Sequence, residues 1–165
     1  TQQQLIDIFT GKITNWNEVG GNDQEIVVMN RASGSGTRAT FETFGLNGAV
    51  GIQSQEQDSS GTVRKIVAET PGAISYLALS YIDDSLQALS IDGVEPTIEN
   101  IQTNDWVIWS YQHVYTKGEP APGVQEFLDY LVSDEVQQGV VQDLGYVAIT
   151  DMKVERSATG EVTNK

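Results

Sequence analysis

The sequence predicts an α/β domain, and three observations carry that prediction. A short β-branched apolar run, Glu25–Met29, follows a turn rich in Gly, Asn and Asp and has the composition of a buried strand. A loop of small residues, Asn30–Arg38, follows it directly, and a helix is predicted over residues 39–44, where Phe41 and Phe44 fall three apart on one face. Runs of strand and helix character alternate along the rest of the chain. This order favours a mixed, mostly parallel sheet flanked by helices.

Helices are predicted where apolar residues recur at helical spacing between start and stop residues. Gln2–Phe9 meets this condition and ends before Gly11. The hydroxyls of Ser59–Thr62 suit a helix N-terminus, and Pro71 with Gly72 ends that helix. Three more helices are predicted: residues 98–102 capped by Thr97, a helix bearing Val124, Phe127, Leu128 and Leu131 after the break at 119–123, and one capped by Ser133 that bears Val136, Val140 and Leu144.

Strands are predicted where apolar residues are continuous or alternate. Residues 106–117 are predicted to be a long strand, because their aromatic and aliphatic side chains alternate along one face. His113 lies on that face, and we interpret it as structural. The remaining predictions are strands at 73–79, 86–91 and 146–149, a polar surface connection at 46–60, and a loose tail from Asp151 onward.

Composition limits the functional class. The chain has 165 residues, 39% of them hydrophobic, which is enough to bury a core. No apolar run approaches the ~20 residues of a membrane-spanning helix, and no signal peptide is visible at the start. The absence of cysteine excludes disulfides, thiol catalysis and cysteine-bound zinc.

The net charge of −14 disfavours nucleic acids and anionic membranes as partners, because both are bound by clustered positive charge. The same charge repels an anionic ligand at long range. An anion site in this chain therefore depends on short-range, desolvated hydrogen bonds, which salt affects little.

The loop between the predicted strand and helix has the parts of an anion receptor. A loop that opens a helix exposes backbone N–H groups without intrahelical partners. Glycines allow close approach of the backbone, Ser35 and Thr37 add hydroxyls, and Arg31 adds a forked cation. A flexible turn is the other interpretation of this composition. The loop is neither a Walker P-loop nor a dinucleotide fingerprint, because Ala39 stands where either motif needs another residue.

Several motifs, in order, resemble those of one family. Arg-x-x-Gly-Ser-Gly-Thr-Arg followed by Phe, at 31–41, is similar to the phosphate-binding loop of the substrate-binding proteins of phosphate ABC transporters. The resemblance covers roughly residues 1–150. The other matching stretches are 8–16 with Gly20 and Gly21, 70–76, 91–94 and 115–118.

This resemblance implies a periplasmic-binding-protein-like fold of two α/β lobes with phosphate held between them. Residues 1–108 would form the second, ligand-binding lobe, and 109–150 a hinge strand with the C-terminal helices of the first lobe. Residues 151–165 are a polar tail. The amino-terminal part of the first lobe would then belong to a longer protein, of which this chain is a fragment or processed form.

Position by position, the resemblance implies phosphate contacts from Arg31, Ser35, Gly36 and Thr37. Ser33, Gly34 and Arg38 are secondary candidates. Many members carry an acidic residue where Ser33 stands, which leaves the partner of Arg31 open. Arg38 either touches the ligand or pairs with a surface carboxylate.

The leading hypothesis is a monomeric solute receptor of a phosphate importer, with inorganic phosphate and a membrane permease as partners and no catalysis, cofactor or metal. The resemblance implies an extracellular, cell-surface protein with a lipid anchor outside this chain. Two alternatives stay open. One is a receptor for another tetrahedral oxyanion such as sulfate or molybdate, and the other is a phosphatase-like hydrolase with Ser35 or Thr37 as nucleophile.

Overall fold

A computed structural model describes all residues, 1–165. These residues form two compact units. The first contains residues 1–96 and 106–109, and the second contains residues 97–105 and 110–165. The helices are α1 (Gln2–Phe9), α2 (Gly36–Thr40), α3 (Ser60–Glu69), α4 (Ile98–Gln102) and α5 (Pro122–Leu131), with π-helical turns at Phe41–Gly45 and Val136–Val141 and 3-10 turns at Trp16–Val19 and Leu79–Tyr81. The strands are β1 (Val27–Arg31), β2 (Gln55–Gln57), β3 (Ala73–Ile74), β4 (Val154–Arg156) and β5 (Val162–Asn164).

The sheet of the first unit has three parallel strands in the order β2-β1-β3. Arg31 of β1 lies opposite Gln57 of β2, and Val28 lies opposite Ile74 of β3. The central strand β1 is almost entirely buried, as its β-branched and apolar composition requires. The predicted α/β class with a mostly parallel sheet and flanking helices is confirmed.

Aromatic side chains form the centre of the core in the first unit. The rings of Phe41 and Tyr76 stack with centroids 4.1 Å apart, and Phe9 meets Phe41 edge-on at 4.7 Å. Because α1, the segment after α2 and the chain after β3 each contribute one ring, this contact joins three parts of the unit. The core also includes Ile8, Ile26, Val28, Leu46 and Ile74.

Two helix starts agree with the predicted caps, whereas the predicted cap Ser133 is wrong, because its hydroxyl donates to the carbonyl of Tyr130 at 2.7 Å instead of accepting a helix N–H. The side chain of Ser59 accepts the N–H of Thr62 at 3.4 Å, and Thr97 accepts that of Asn100 at 3.2 Å. The helix after the small-residue loop begins at Gly36, three residues before the apolar pattern predicts, because Ser35 caps it.

The predicted strands at 86–91, 106–117 and 146–149 do not form. Residues 91 and 94 make only an isolated bridge, and no strand pairs with 106–117 or 146–149. Alternation of apolar side chains describes any extended segment, whereas a strand also needs a neighbour for its backbone groups. The predicted strand at 73–79 shortens to Ala73–Ile74 for the same reason.

The second unit contains α4, α5, the π-helical turn at Val136–Val141 and a hairpin of β4 and β5. This hairpin differs from the predicted loose tail. Val154 pairs with Asn164, and Met152 and Val154 are both buried. Two apolar side chains in an otherwise polar sequence are too few to produce a periodic pattern, although they are enough to dock the segment.

None of the helices combines the length and the apolar character required to cross a membrane.

Candidate anion-binding site

The loop after β1 exposes the backbone at the start of α2. Gly34 has a φ of 90°, which a side chain would strain, and Ser35 returns to extended backbone as the N-cap. The Oγ of Ser35 accepts the N–H of Arg38 at 3.3 Å. The N–H groups of Gly36 and Thr37 donate to no acceptor of the protein, as expected for the first residues of a helix. Two adjacent backbone donors are therefore available to a ligand.

A depression of about 260 Å³ lies beside this helix start. It brings together most of the residues that the sequence singled out, but neither Arg31 nor Thr37 lines it. Its lining residues are Ser33, Gly34, Ser35, Gly36, Arg38, Ala39, Glu42 and Val50.

Arg38 pairs with carboxylates, one of the two interpretations left open by the sequence. Its Nε donates to Glu42 at 2.8 Å, and its Nη1 donates to Glu56 at 2.6 Å and to the carbonyl of Arg31 at 2.8 Å. These hydrogen bonds, first that with Glu42, raise the pKa of the Arg38 guanidinium above its usual value. The single positive charge of Arg38 partly offsets these two carboxylates close to the loop.

The guanidinium of Arg31 lies against the turn that joins β2 to α3. Its Nε donates to the carbonyl of Gln57 at 3.2 Å, its Nη2 to the carbonyl of Asp58 at 2.6 Å, and its Nη1 to the Oγ of Ser60 at 2.6 Å. A guanidinium has five N–H donors. One N–H on each terminal nitrogen therefore remains beyond these three bonds. The sequence left the partner of Arg31 open, because Ser33 stands where many family members have an acidic residue. The structure shows that these three oxygens are its partners.

The hydroxyl of Tyr76 is hydrogen-bonded to the last two residues of β1. This hydroxyl donates to Oδ1 of Asn30 at 3.2 Å and accepts the backbone N–H of Arg31 at 3.1 Å. The amide of Asn30, only 3% exposed, also donates to Ser54 at 2.8 Å. Burial raises the pKa of the Tyr76 phenol, so it remains a neutral donor. Sequence reasoning missed Tyr76, Asn30 and Ser60 as supports, because each acts through a residue distant in the chain.

The hydroxyls near the loop lack the surroundings of a nucleophile. Neither Ser35 nor Thr37 is hydrogen-bonded to a histidine or a carboxylate, the arrangement that activates a hydroxyl. The described residues also contain no group of three or more His, Cys, Asp or Glu side chains that could hold a metal ion. The geometry is suited to binding an anion by hydrogen bonds.

A small-residue loop at the carboxyl end of a central parallel strand, opening a helix, is the arrangement of a solute-binding α/β lobe. The model of the PBP superfamily domain matches residues 1–135, and the chain belongs to this superfamily. Its periplasmic-binding-protein-like fold is thereby confirmed.

The curated relatives of this chain include phosphate-binding proteins. The chain is 54% identical to the phosphate-binding protein PstS of Bacillus subtilis over 98% of its own length and 54% of the relative. It is 30% identical to the PstS protein of Borreliella burgdorferi over 90% of this chain and 58% of that one. The chain thus spans little more than half the length of these curated relatives.

Solved structures that superpose on this chain are also described as phosphate-transport proteins. A structure from Clostridium perfringens, described as a phosphate ABC transporter substrate-binding protein with bound phosphate, superposes with a TM-score of 0.81 at 36% identity. The match covers 90% of this chain and 62% of that one. A phosphate transport receptor from Vibrio cholerae superposes with a TM-score of 0.71 at 26% identity, covering 88% and 62% of the two chains.

Proposed function

We propose that this chain forms the phosphate-binding lobe of the solute-binding component of a phosphate ABC importer. The observation that carries the proposal is the pair of backbone N–H groups, those of Gly36 and Thr37, that have no acceptor at the start of α2. The names of the relatives support phosphate as the ligand.

Phosphate binds at the head of α2 through neutral donors and one cation. Gly36 and Thr37 donate backbone N–H groups, and Ser35 and Thr37 add hydroxyls. Helix N-termini suit this role because their N–H groups and the helix dipole both favour negative charge. Arg31 contributes the two N–H groups that its protein acceptors leave. Ser33, Gly34 and Arg38 have secondary roles at the rim of the depression.

Because the whole chain is negatively charged, phosphate is bound by short-range contacts and not by electrostatic attraction at a distance. At −14, the protein repels phosphate until the ligand reaches the loop. Arg38 reduces this repulsion locally, because it engages Glu42 at 2.8 Å and Glu56 at 2.6 Å. Affinity consequently depends on a set of short hydrogen bonds, each worth about 1.5–3 kcal/mol when one partner is charged.

The complete protein contains two lobes. Residues 1–108 form the ligand-binding lobe, 109–150 the hinge segment and the C-terminal helices of the other lobe, and 151–165 a polar tail that folds into the hairpin of β4 and β5. The protein acts outside the cell, held at the surface by a lipid anchor, as a monomer without catalytic activity. It delivers phosphate to the membrane permease of the transporter.

Substitution of Gly36 by alanine tests the proposal. A Cβ at this position meets no protein atom within 4 Å, so the fold accepts it. The added methyl group occupies the space that a ligand on the helix N-terminus needs. Isothermal titration calorimetry with phosphate, on the protein carrying both lobes, should show that the affinity for phosphate falls at least about tenfold. This is the scale of losing one direct contact to a charged ligand. Sulfate and molybdate in the same experiment identify the preferred oxyanion.

Gly123→Ala is the matched control, because this glycine also lies near the start of a helix and its Cβ also meets open space. It should leave phosphate affinity unchanged. Unchanged affinity in Gly36→Ala as well would contradict the proposed site.

A further inference from the structure

Arg31 is a buried cation without a carboxylate partner. Arg31 is only 9% exposed. It takes part in none of the four ion pairs of the chain, whose cations are Lys12, Arg38 and Arg64. All three acceptors of its guanidinium are neutral oxygens: two backbone carbonyls and the hydroxyl of Ser60. A buried charge requires such compensation. These oxygens stabilise the guanidinium without cancelling its charge.

The acceptors follow one another along the chain from β2 into α3. Gln57 lies opposite Arg31 in the parallel register, and its carbonyl also accepts the N–H of Ala32 at 3.0 Å. Ser59 then caps α3, which makes Ser60 the first residue of the helix. The position of the Ser60 hydroxyl is thus determined by a strand pairing on one side and a helix start on the other.

We infer that Ser60 is a positioning residue for anion binding: its hydroxyl, with the carbonyls of Gln57 and Asp58, orients the Arg31 guanidinium and leaves it a full positive charge. The inference rests on the proposed function, in which Arg31 contacts phosphate. An arginine side chain has several rotatable bonds, and a ligand contact is stronger when the fork is already oriented. A carboxylate at the same place would orient the guanidinium equally well but would offset the charge that the anion needs.

The test compares three substitutions at position 60 by calorimetry with phosphate, in the protein carrying both lobes. Ser60→Ala removes the hydroxyl and should weaken binding about tenfold, the scale of one hydrogen bond to a charged group. Ser60→Thr retains the hydroxyl and should stay within about twofold of the unmodified protein. Ser60→Asp supplies an acceptor with a negative charge, which the N-terminus of α3 tolerates. It should weaken binding at least as much as Ser60→Ala.

Ser59→Ala is the control for the stability of α3, because it removes the cap to Thr62 without touching Arg31. It should lower the melting temperature and leave phosphate affinity within about twofold. If Ser60→Ala resembles Ser59→Ala in both measurements, or if Ser60→Asp binds phosphate as tightly as Ser60→Thr, the positioning role is wrong.

Arg31→Ala separates this inference from the function on which it rests. Lost binding in Arg31→Ala with unchanged binding in Ser60→Ala overturns the role of Ser60 and leaves the proposed site intact. Unchanged binding in Arg31→Ala overturns both. Loss in Arg31→Ala and Ser60→Ala, with recovery in Ser60→Thr, supports both.

Discussion

The hydroxyl of Tyr76 accepts the backbone N–H of Arg31 at 3.1 Å. Tyr76 follows β3, whereas Arg31 is the last residue of β1, so this bond ties the two segments together where the anion-binding loop begins. The same hydroxyl donates to Asn30 at 3.2 Å, and the ring stacks on Phe41. One side chain thereby supports both the strand before the loop and the helical turn after it.

Tyr76→Phe should destabilise the first unit. It keeps the stacked ring but leaves the backbone N–H of Arg31 and the side-chain Oδ1 of Asn30 without the partner that the hydroxyl supplies, and a buried unsatisfied group costs about 1–3 kcal/mol. Urea unfolding measures the change. Tyr81→Phe is the control, because Tyr81 is 38% exposed and its hydroxyl makes no hydrogen bond in the structure. Equal stability of the two variants would show that the Tyr76 hydroxyl contributes nothing.

Alkaline pH should act through the same tyrosine. Burial raises its pKa above the ordinary value of 10.0. The folded state therefore keeps the phenol proton at pH values where the unfolded chain has lost it, and stability falls as the pH rises beyond about 10. Ultraviolet titration should show one of the six tyrosines ionising later than the rest. That late transition should be absent in Tyr76→Phe, and its persistence would assign it to another residue.

Gly72→Ala should destabilise the fold more than Gly93→Ala. Both glycines have a positive φ, near 80°, so both substitutions carry the same strain of about 1–2 kcal/mol. At Gly72 the new Cβ also collides with the carbonyl oxygen of Glu25, whereas at Gly93 it meets open space. Thermal unfolding should place Gly72→Ala several degrees below Gly93→Ala. Equal melting temperatures would mean that the turn at Gly72 relaxes without cost.

The sequence predicted those parts of the fold that depend on local pattern. The apolar run Glu25–Met29, which overlaps the first three residues of β1, and the capped start of α3 are recognisable because neighbouring residues determine them. Strand β2 was missed, since Gln55–Gln57 is polar and its first two residues are exposed. The predicted strand at 106–117 was wrong because alternation says nothing about whether a partner strand exists.

The same distinction holds for the site. The position of the loop between strand and helix followed from the sequence, because glycines and hydroxyls there are local signals. The surroundings of Arg31 did not, because its acceptors lie 26 to 29 residues further on, at the end of and just after a strand that the sequence did not reveal. Long-range register, which sequence patterns do not encode, determined how the cation is held.

Calorimetric titration of Arg31→Ala with phosphate, in the protein carrying both lobes, tests the central claim most directly. Removing one partner of a buried charge contact costs about 2–4 kcal/mol, so the affinity should fall roughly 30- to 1,000-fold while the protein stays folded. An unchanged dissociation constant would remove Arg31 from the site and contradict the account.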